Sequence, residues 1–95
     1  MLGGAGYRPV AIVSRAEGTD QREKITVAEV TSVVRSLPCE VVLTEADGMP
    51  RRCVINTDNL HTIPRSSLTE FITALSDQQL FDLDSALRYS LDLEW

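Results

Sequence analysis

Long apolar runs are missing from this sequence. None approaches the roughly 20 residues that a membrane helix needs, so no membrane partner is expected. Pro9 to Ser14, the apolar stretch nearest the start, is shorter than the core of a secretory signal, which makes the cytoplasm the expected compartment. Histidine occurs once, at His61, and cysteine twice, at Cys39 and Cys53, with no CxxC pair. A structural zinc site usually takes four Cys or His ligands, so this chain cannot build one alone, and neither a metal nor another cofactor is expected. In a reducing compartment the two cysteines read as free thiols, and their default role is packing. Internal repeats and low-complexity tracts are absent too. With 43% hydrophobic and 24% charged residues the composition is that of a folded chain, and 95 residues suffice for one domain over 1–95.

Net positive charge is also lacking, since the chain carries −5 at neutral pH. Taken alone, that argues against a nucleic-acid partner, which usually demands a basic patch. The distribution removes the objection. From Met1 to Arg65 there are eight Lys or Arg and eight Asp or Glu, so this stretch is neutral. After Arg65 only Arg88 is basic, against Glu70, Asp77, Asp82, Asp84, Asp92 and Glu94. The excess negative charge therefore lies in the C-terminal third, and the rest can bind a phosphate locally.

What is present is mostly β pattern. Val10 to Val13 is a short β-branched run suited to a buried strand, and Arg15 to Lys24 is polar and reads as an exposed loop. Ile25 to Thr31 is a second strand by its β-branched content. After the break at Leu37-Pro38, Glu40 to Thr44 gives a third, followed by a turn at Asp47-Gly48. Cys53 to Ile55 and Asn59 to Ile63 read as a fourth and a fifth, the latter stopped by Pro64. Ser66 to Leu75 is ambiguous: Ser67 and Glu70 have the form of a helix capping box, yet the alternation from Leu68 to Thr73 also fits a strand. Ser76 with Gln79 forms a second capping box, ahead of Leu80, Leu83, Leu87 and Leu91 at helical spacing, a stripe that Phe81 and Ala86 widen. The fold class is therefore mainly β with a C-terminal helix, a small, strongly curved, SH3-like antiparallel sheet.

Four segments go further. Arg8-Pro9-Val10-Ala11-Ile12-Val13-Ser14 resembles the strand "RPVLVVS" of the MazF/PemK toxins, and Val27 to Ser32 resembles their "VAPITS" strand. Cys53-Val54-Ile55-Asn56, with Asp58-Asn59-Leu60 and Thr62-Ile63-Pro64, is similar to "CVVNLDNLQTVP", and Leu75-Ser76 resembles the entry to their last helix. The resemblance runs from Arg8 to about Leu93 and implies that Leu68 to Ala74 is a strand. It implies a curved sheet of the kind shared with CcdB and PemK. Two departures stand out. Only seven residues precede Arg8, in place of a strand and loop, which predicts a sheet one strand short, with an exposed edge. Glu29 stands where proline is common, and a carboxylate so near Thr31 is expected to disfavour an approaching phosphate.

The resemblance also implies a chemistry. Such toxins are sequence-specific, metal-independent endoribonucleases of type II toxin–antitoxin systems (mRNA interferases) that inhibit translation and growth. In them the 2′-hydroxyl of single-stranded RNA attacks the adjacent phosphorus, leaving a 2′,3′-cyclic phosphate and a 5′-hydroxyl. The nucleophile belongs to the substrate, so the protein positions it, moves protons and stabilises charge. Arg8 and Thr31 match the catalytic arginine and threonine. A guanidinium holds two phosphoryl oxygens and stays charged, and a threonine hydroxyl can bond a third. Ser32 is a supporting candidate, and Arg15, Arg22, Lys24 and Arg35 are candidate RNA contacts. His61 is the only side chain that ordinarily titrates near neutrality, but the matching position is often Gln or Arg, so it reads as a solvent-facing strand residue. Asp58 and Asn59 either cap a turn or touch a base. The implied partners are RNA, a MazE-like antitoxin and a second copy of the chain in a homodimer. Two other readings remain open: a gyrase poison of the CcdB type acting through the C-terminal helix and Trp95, and a catalytically impaired chain that only binds antitoxin.

Overall fold

The computed structural model describes residues 2–5, 8–14 and 23–93. Arg15 and Arg22, two of the candidate RNA contacts, lie outside the described residues, as does Trp95. Among the described residues six strands form one sheet: β1 (Leu2–Ala5), β2 (Arg8–Ile12), β3 (Lys24–Thr31), β4 (Glu40–Leu43), β5 (Cys53–Pro64) and β6 (Leu68–Thr73). Their order is β4-β5-β3-β2-β1-β6, every neighbouring pair antiparallel, and one helix, α1 (Asp77–Ser90), follows.

Alternation along these strands creates two faces. One carries Ala11, Ala28, Val41, Leu43, Cys53 and Ile55, which pack with Leu75, Leu83 and Ala86 into the main core. The helix is set on this face by its capping box: Ser76 Oγ accepts from the Gln79 N–H at 3.1 Å while Gln79 Oε1 accepts from the Ser76 N–H at 2.9 Å. The other face carries a smaller cluster of Val10, Ile25 and Val27, against which Ile12, Ile63 and Leu68 pack. Leu68 begins the edge strand β6, and its packing against this cluster joins that edge to the middle of the sheet.

The sequence expectation of a missing strand is corrected. Leu2–Ala5 pairs with β2 on one side and β6 on the other and fills the gap. Leu-Gly-Gly-Ala has almost no β propensity, and pairing on both sides supplies what its side chains do not. Gly3 is needed for closeness: a Cβ there would come within 3.0 Å of the Glu70 carbonyl oxygen.

The fourth and fifth strands read from the sequence are one strand, β5, interrupted by a bulge. Ala28 pairs with Leu60 but Glu29 pairs with Asn56, so Thr57, Asp58 and Asn59 are extra on β5. Thr57 anchors the bulge from inside. Its buried hydroxyl donates towards the carbonyls of Cys39 at 2.8 Å and Ala86 at 3.2 Å and so accepts from Ser90 Oγ at 2.6 Å. Asn56 Oδ1 accepts from the Asp58 N–H at 3.0 Å, which makes the turn at Asp58 that the sequence left open.

The strand that the resemblance implies over Leu68 to Ala74 is present as β6, Leu68–Thr73, and the residues before it form a short 3-10 turn, Arg65–Ser67, with no capping bond from a side chain. The helix stripe read from the sequence is narrower in the structure. Leu83 and Ala86 are the buried helix positions, with Leu87 packed beside them, whereas Leu80, Phe81 and Leu91 are exposed.

Candidate functional site

The register of β2 on β3 places the two principal candidates together. Val10 pairs with Glu29 and Ala11 with Ala28, so one further step of two residues sets Arg8 across from Thr31 on the same face. This is the face without the helix. The bulge in β5 carries Asn56 and Asn59 to the same place, and the segment after β3 brings Ser32 and Arg35. Together with Glu29 and Glu40 these residues line an open cleft of about 380 Å³. A shallower hollow of about 250 Å³, lined by Pro9, Met49, Pro50, Arg51 and Cys53, adjoins it and shares Val30, Thr31 and Ser32. Ser32 therefore stands on the ridge between the two.

The cleft is polar and held by backbone contacts. Thr31 Oγ1 accepts from the Val33 N–H at 3.1 Å, which leaves the hydroxyl proton free to donate. Glu40 Oε1 accepts from the Arg35 N–H at 3.1 Å and the Leu37 N–H at 3.3 Å, pinning the segment between β3 and β4. Ser36 within that segment takes a left-handed backbone, φ 56°, a conformation that costs free energy for a residue other than glycine and that these anchors maintain.

Arg8 is 82% exposed, and its Nη1 lies 3.6 Å from Glu29 Oε1. Glu29 Oε2 lies 3.0 Å from Nε2 of His61. His61 is indeed exposed, but it is engaged with Glu29 as well as facing solvent. Glu29 does lie in the cleft beside Thr31, as the sequence suggested.

The other candidates separate. Arg35 lines the cleft, whereas Lys24 begins β3 and pairs with Pro64, seven residues and roughly 23 Å of strand from Thr31. Lys24 is thus not part of the cleft. Sequence reasoning missed Glu40 and Asn56. Asn56 sits inside the Cys53-Val54-Ile55-Asn56 motif and its place there was a usable signal; Glu40 carried none.

Both cysteines are buried free thiols. Burial pushes the Cys39 thiol up, helped by the nearby Asp58 carboxylate, and burial does the same to Cys53 with Asp47. Neither is a ready nucleophile. Among the described residues no group of three or more His, Cys, Asp or Glu is placed to hold a metal ion. No helix among them is long and apolar enough to cross a membrane.

A polar cleft with two arginines and two glutamates on the face opposite the helix, on a small antiparallel sheet, defines the class as a mainly β protein with a candidate site. The comparisons make the class specific. Residues 3–91 match the family described as PemK-like, MazF-like toxin of type II toxin–antitoxin system. The chain is 36% identical over 86 residues to the probable endoribonuclease MazF2 of Mycobacterium tuberculosis, covering 90% of this chain and 84% of that one. It is 34% identical over 88 residues to the endoribonuclease MazF3 of the same organism, covering 93% and 85%. Among solved structures, the Mycobacterium tuberculosis toxin MazF-mt6 superposes with a TM-score of 0.90 at 32% identity, over 99% of this chain and 96% of that one. The chain belongs to the PemK-like, MazF-like toxin family, and its curved sheet with a C-terminal helix is the fold of that family.

Proposed function

We propose that this protein is an endoribonuclease toxin that cuts single-stranded RNA in the cleft headed by Arg8 and Thr31. The observation that carries the reading is that these two side chains line one cleft, on the face of the sheet opposite the helix. The relatives at 34–36% identity, named as endoribonucleases, support it.

In the proposed reaction the 2′-oxygen of a ribose loses its proton and attacks the adjacent phosphorus. The bond from phosphorus to the 5′-oxygen breaks, and that oxygen gains a proton. The products are a 2′,3′-cyclic phosphate and a 5′-hydroxyl, and neither water nor a cofactor enters the balance. Arg8 clamps two phosphoryl oxygens and offsets the charge that builds on them. The free proton of Thr31 donates to the same group. The resemblance gives Arg8 proton transfer as well, which its high ordinary pKa makes difficult unless the reacting oxygen is held against it. Ser32 and Arg35 hold the flanking backbone, and Asn56 and Asn59 offer amide groups to base edges.

Membership of a toxin–antitoxin family implies an antitoxin that closes this cleft, and the cytoplasm, where mRNA lies, is the proposed place of action. The strands at the two sheet edges, β4 and β6, each expose a large apolar residue, Val42 and Phe71, and α1 exposes Phe81 and Tyr89, which suits a chain that also pairs with a second copy. The impaired, antitoxin-binding reading drew on a missing first strand and on Glu29; β1 removes the first ground, and the second stands, since Glu29 lies in the cleft against Arg8.

The test is product analysis. Incubated with mixed-sequence single-stranded RNA in excess EDTA, the purified chain is expected to leave fragments ending in a 2′,3′-cyclic phosphate. Intact RNA, or 5′-phosphate products that appear only with Mg²⁺, would overturn the reading.

A further inference from the structure

The open face carries one contact that attack at phosphorus does not itself call for. Glu29 stands between Arg8 and His61, with Oε1 3.6 Å from Nη1 of the arginine and Oε2 3.0 Å from Nε2 of the histidine. The sheet register dictates this. Glu29 pairs with Val10 and Val27 pairs with His61, so Arg8, Glu29 and His61 lie diagonally on one face across β2, β3 and β5. The carboxylate is the least exposed of the three, at 32% against 82% and 55%. Among the described residues, Glu29 supplies the ion pair of Arg8.

A phosphate that takes Arg8 must displace this carboxylate and then sit beside it. In the free cleft the charges of Arg8 and Glu29 offset each other. With a phosphate bound at Arg8, that guanidinium faces both the phosphate and the Glu29 carboxylate, whose mutual repulsion would be relieved by positive charge on the far side of Glu29. Histidine is the side chain that gains such a charge near neutral pH. Of the other charged groups, Glu40, from β4, is bound to backbone N–H groups, and Arg35 lines the cleft from the segment after β3, whereas His61 is the group in contact with Oε2 of Glu29. Asp58, on the β5 bulge, interacts with Cys39.

We propose that Glu29 and His61 are positioning residues for Arg8, forming a displaceable clamp. Glu29 holds the guanidinium over the cleft until RNA arrives, and protonated His61 then receives the carboxylate as the RNA phosphate takes the arginine. RNA binding is therefore accompanied by proton uptake. The clamp makes KM depend on pH through the Glu29–His61 pair. The inference rests on the RNA-cleaving reading above.

The experiment uses the full chain, mixed-sequence single-stranded RNA, EDTA and constant ionic strength, with KM and kcat followed separately. For the wild type, KM is expected to rise about fivefold between roughly pH 6 and roughly pH 8. His61→Gln keeps a hydrogen bond to Glu29 without charge and should hold KM near its high-pH value throughout. Glu29→Gln should hold KM near its low-pH value throughout. His61 is more than half exposed, so its replacement leaves folding intact. Because the chain has a single histidine, its ring protons are resolved by NMR. Saturation with 2′-O-methyl RNA, which lacks the nucleophile, should shift them towards imidazolium in the wild type and not in Glu29→Gln. Cleavage with the same pH dependence of KM in all three proteins, or an unmoved histidine signal in RNA-saturated wild type, overturns the clamp and leaves the nuclease standing. A chain that neither binds nor cuts RNA removes both.

Discussion

On the helix side of the sheet, Ala11, Ala28, Val41, Leu43 and Ile55 are sealed beneath Leu83 and Ala86. On the opposite side, residues an odd number of positions along the same strands (Arg8, Glu29, Thr31 and Asn56) line a cleft open to solvent. Strand alternation thus interleaves the residues that hold the fold with those proposed to do the chemistry. A covered face gains stability from the area it removes from water, and an open face keeps charged groups hydrated and reachable. The two sets should respond to mutation independently, although they are neighbours in sequence.

The largest effect that would break this division is at Arg8. Arg8→Lys keeps the charge but loses the planar fork, and cleavage should fall about 100-fold or more with an unchanged melting temperature. Retained activity would show that Arg8 contributes only diffuse charge, and a large fall in melting temperature would show that the cleft end of this face carries stability, as the Val10, Ile25 and Val27 cluster beside it does. Next comes the covered face. Leu43→Ala empties a fully buried position and should cost about 3 kcal/mol in urea unfolding, with kcat per folded molecule preserved.

Thr57 tests where the two faces meet, because it ties the bulge that presents Asn56 and Asn59 to the end of α1. Thr57→Val removes the hydroxyl shared by two carbonyls and Ser90, so a loss of about 1–2 kcal/mol is expected. Unlike Leu43→Ala it should also raise KM. A stability loss without any change in KM would detach the bulge from the cleft.

The smallest effect concerns acid. The Thr44 N–H, and after it the side chains of Gln79 and Thr44, hold the Asp47 carboxyl below the usual carboxylate range. A lowered pKa stabilises the fold at pH values above the ordinary carboxylate range, and that contribution is lost as pH falls through the lowered value. Asp47→Asn should therefore be slightly less stable than the wild type at neutral pH, with the difference closing in acid. A gap that persists in acid would mean that geometry alone, without charge, sets the turn before β5.

Much of this was legible in the sequence. β3 and β4 follow from β-branched runs, and α1 from its capping box and leucine spacing. Arg8 and Thr31 stand in motifs that needed no structure to be noticed. β1 was not legible, because Leu2-Gly3-Gly4-Ala5 carries no side-chain pattern and is made a strand by neighbours on both sides. Lys24 shows the converse error: it shares a strand with Thr31, yet an extended chain carries it away from the cleft.

The sequence by itself determined the fold class and the capped helix, because hydrophobic period and capping chemistry are local properties, and its resemblance to the MazF/PemK motifs singled out Arg8 and Thr31. Tertiary structure alone decided that β5 is one strand with a bulge, and that Glu40 anchors the segment lining the cleft. It alone set Glu29 between Arg8 and His61. Each of these depends on strand register, which is fixed by pairing between segments distant in the chain. One step of register moves a side chain to the other face, so no local pattern can specify which residues will meet.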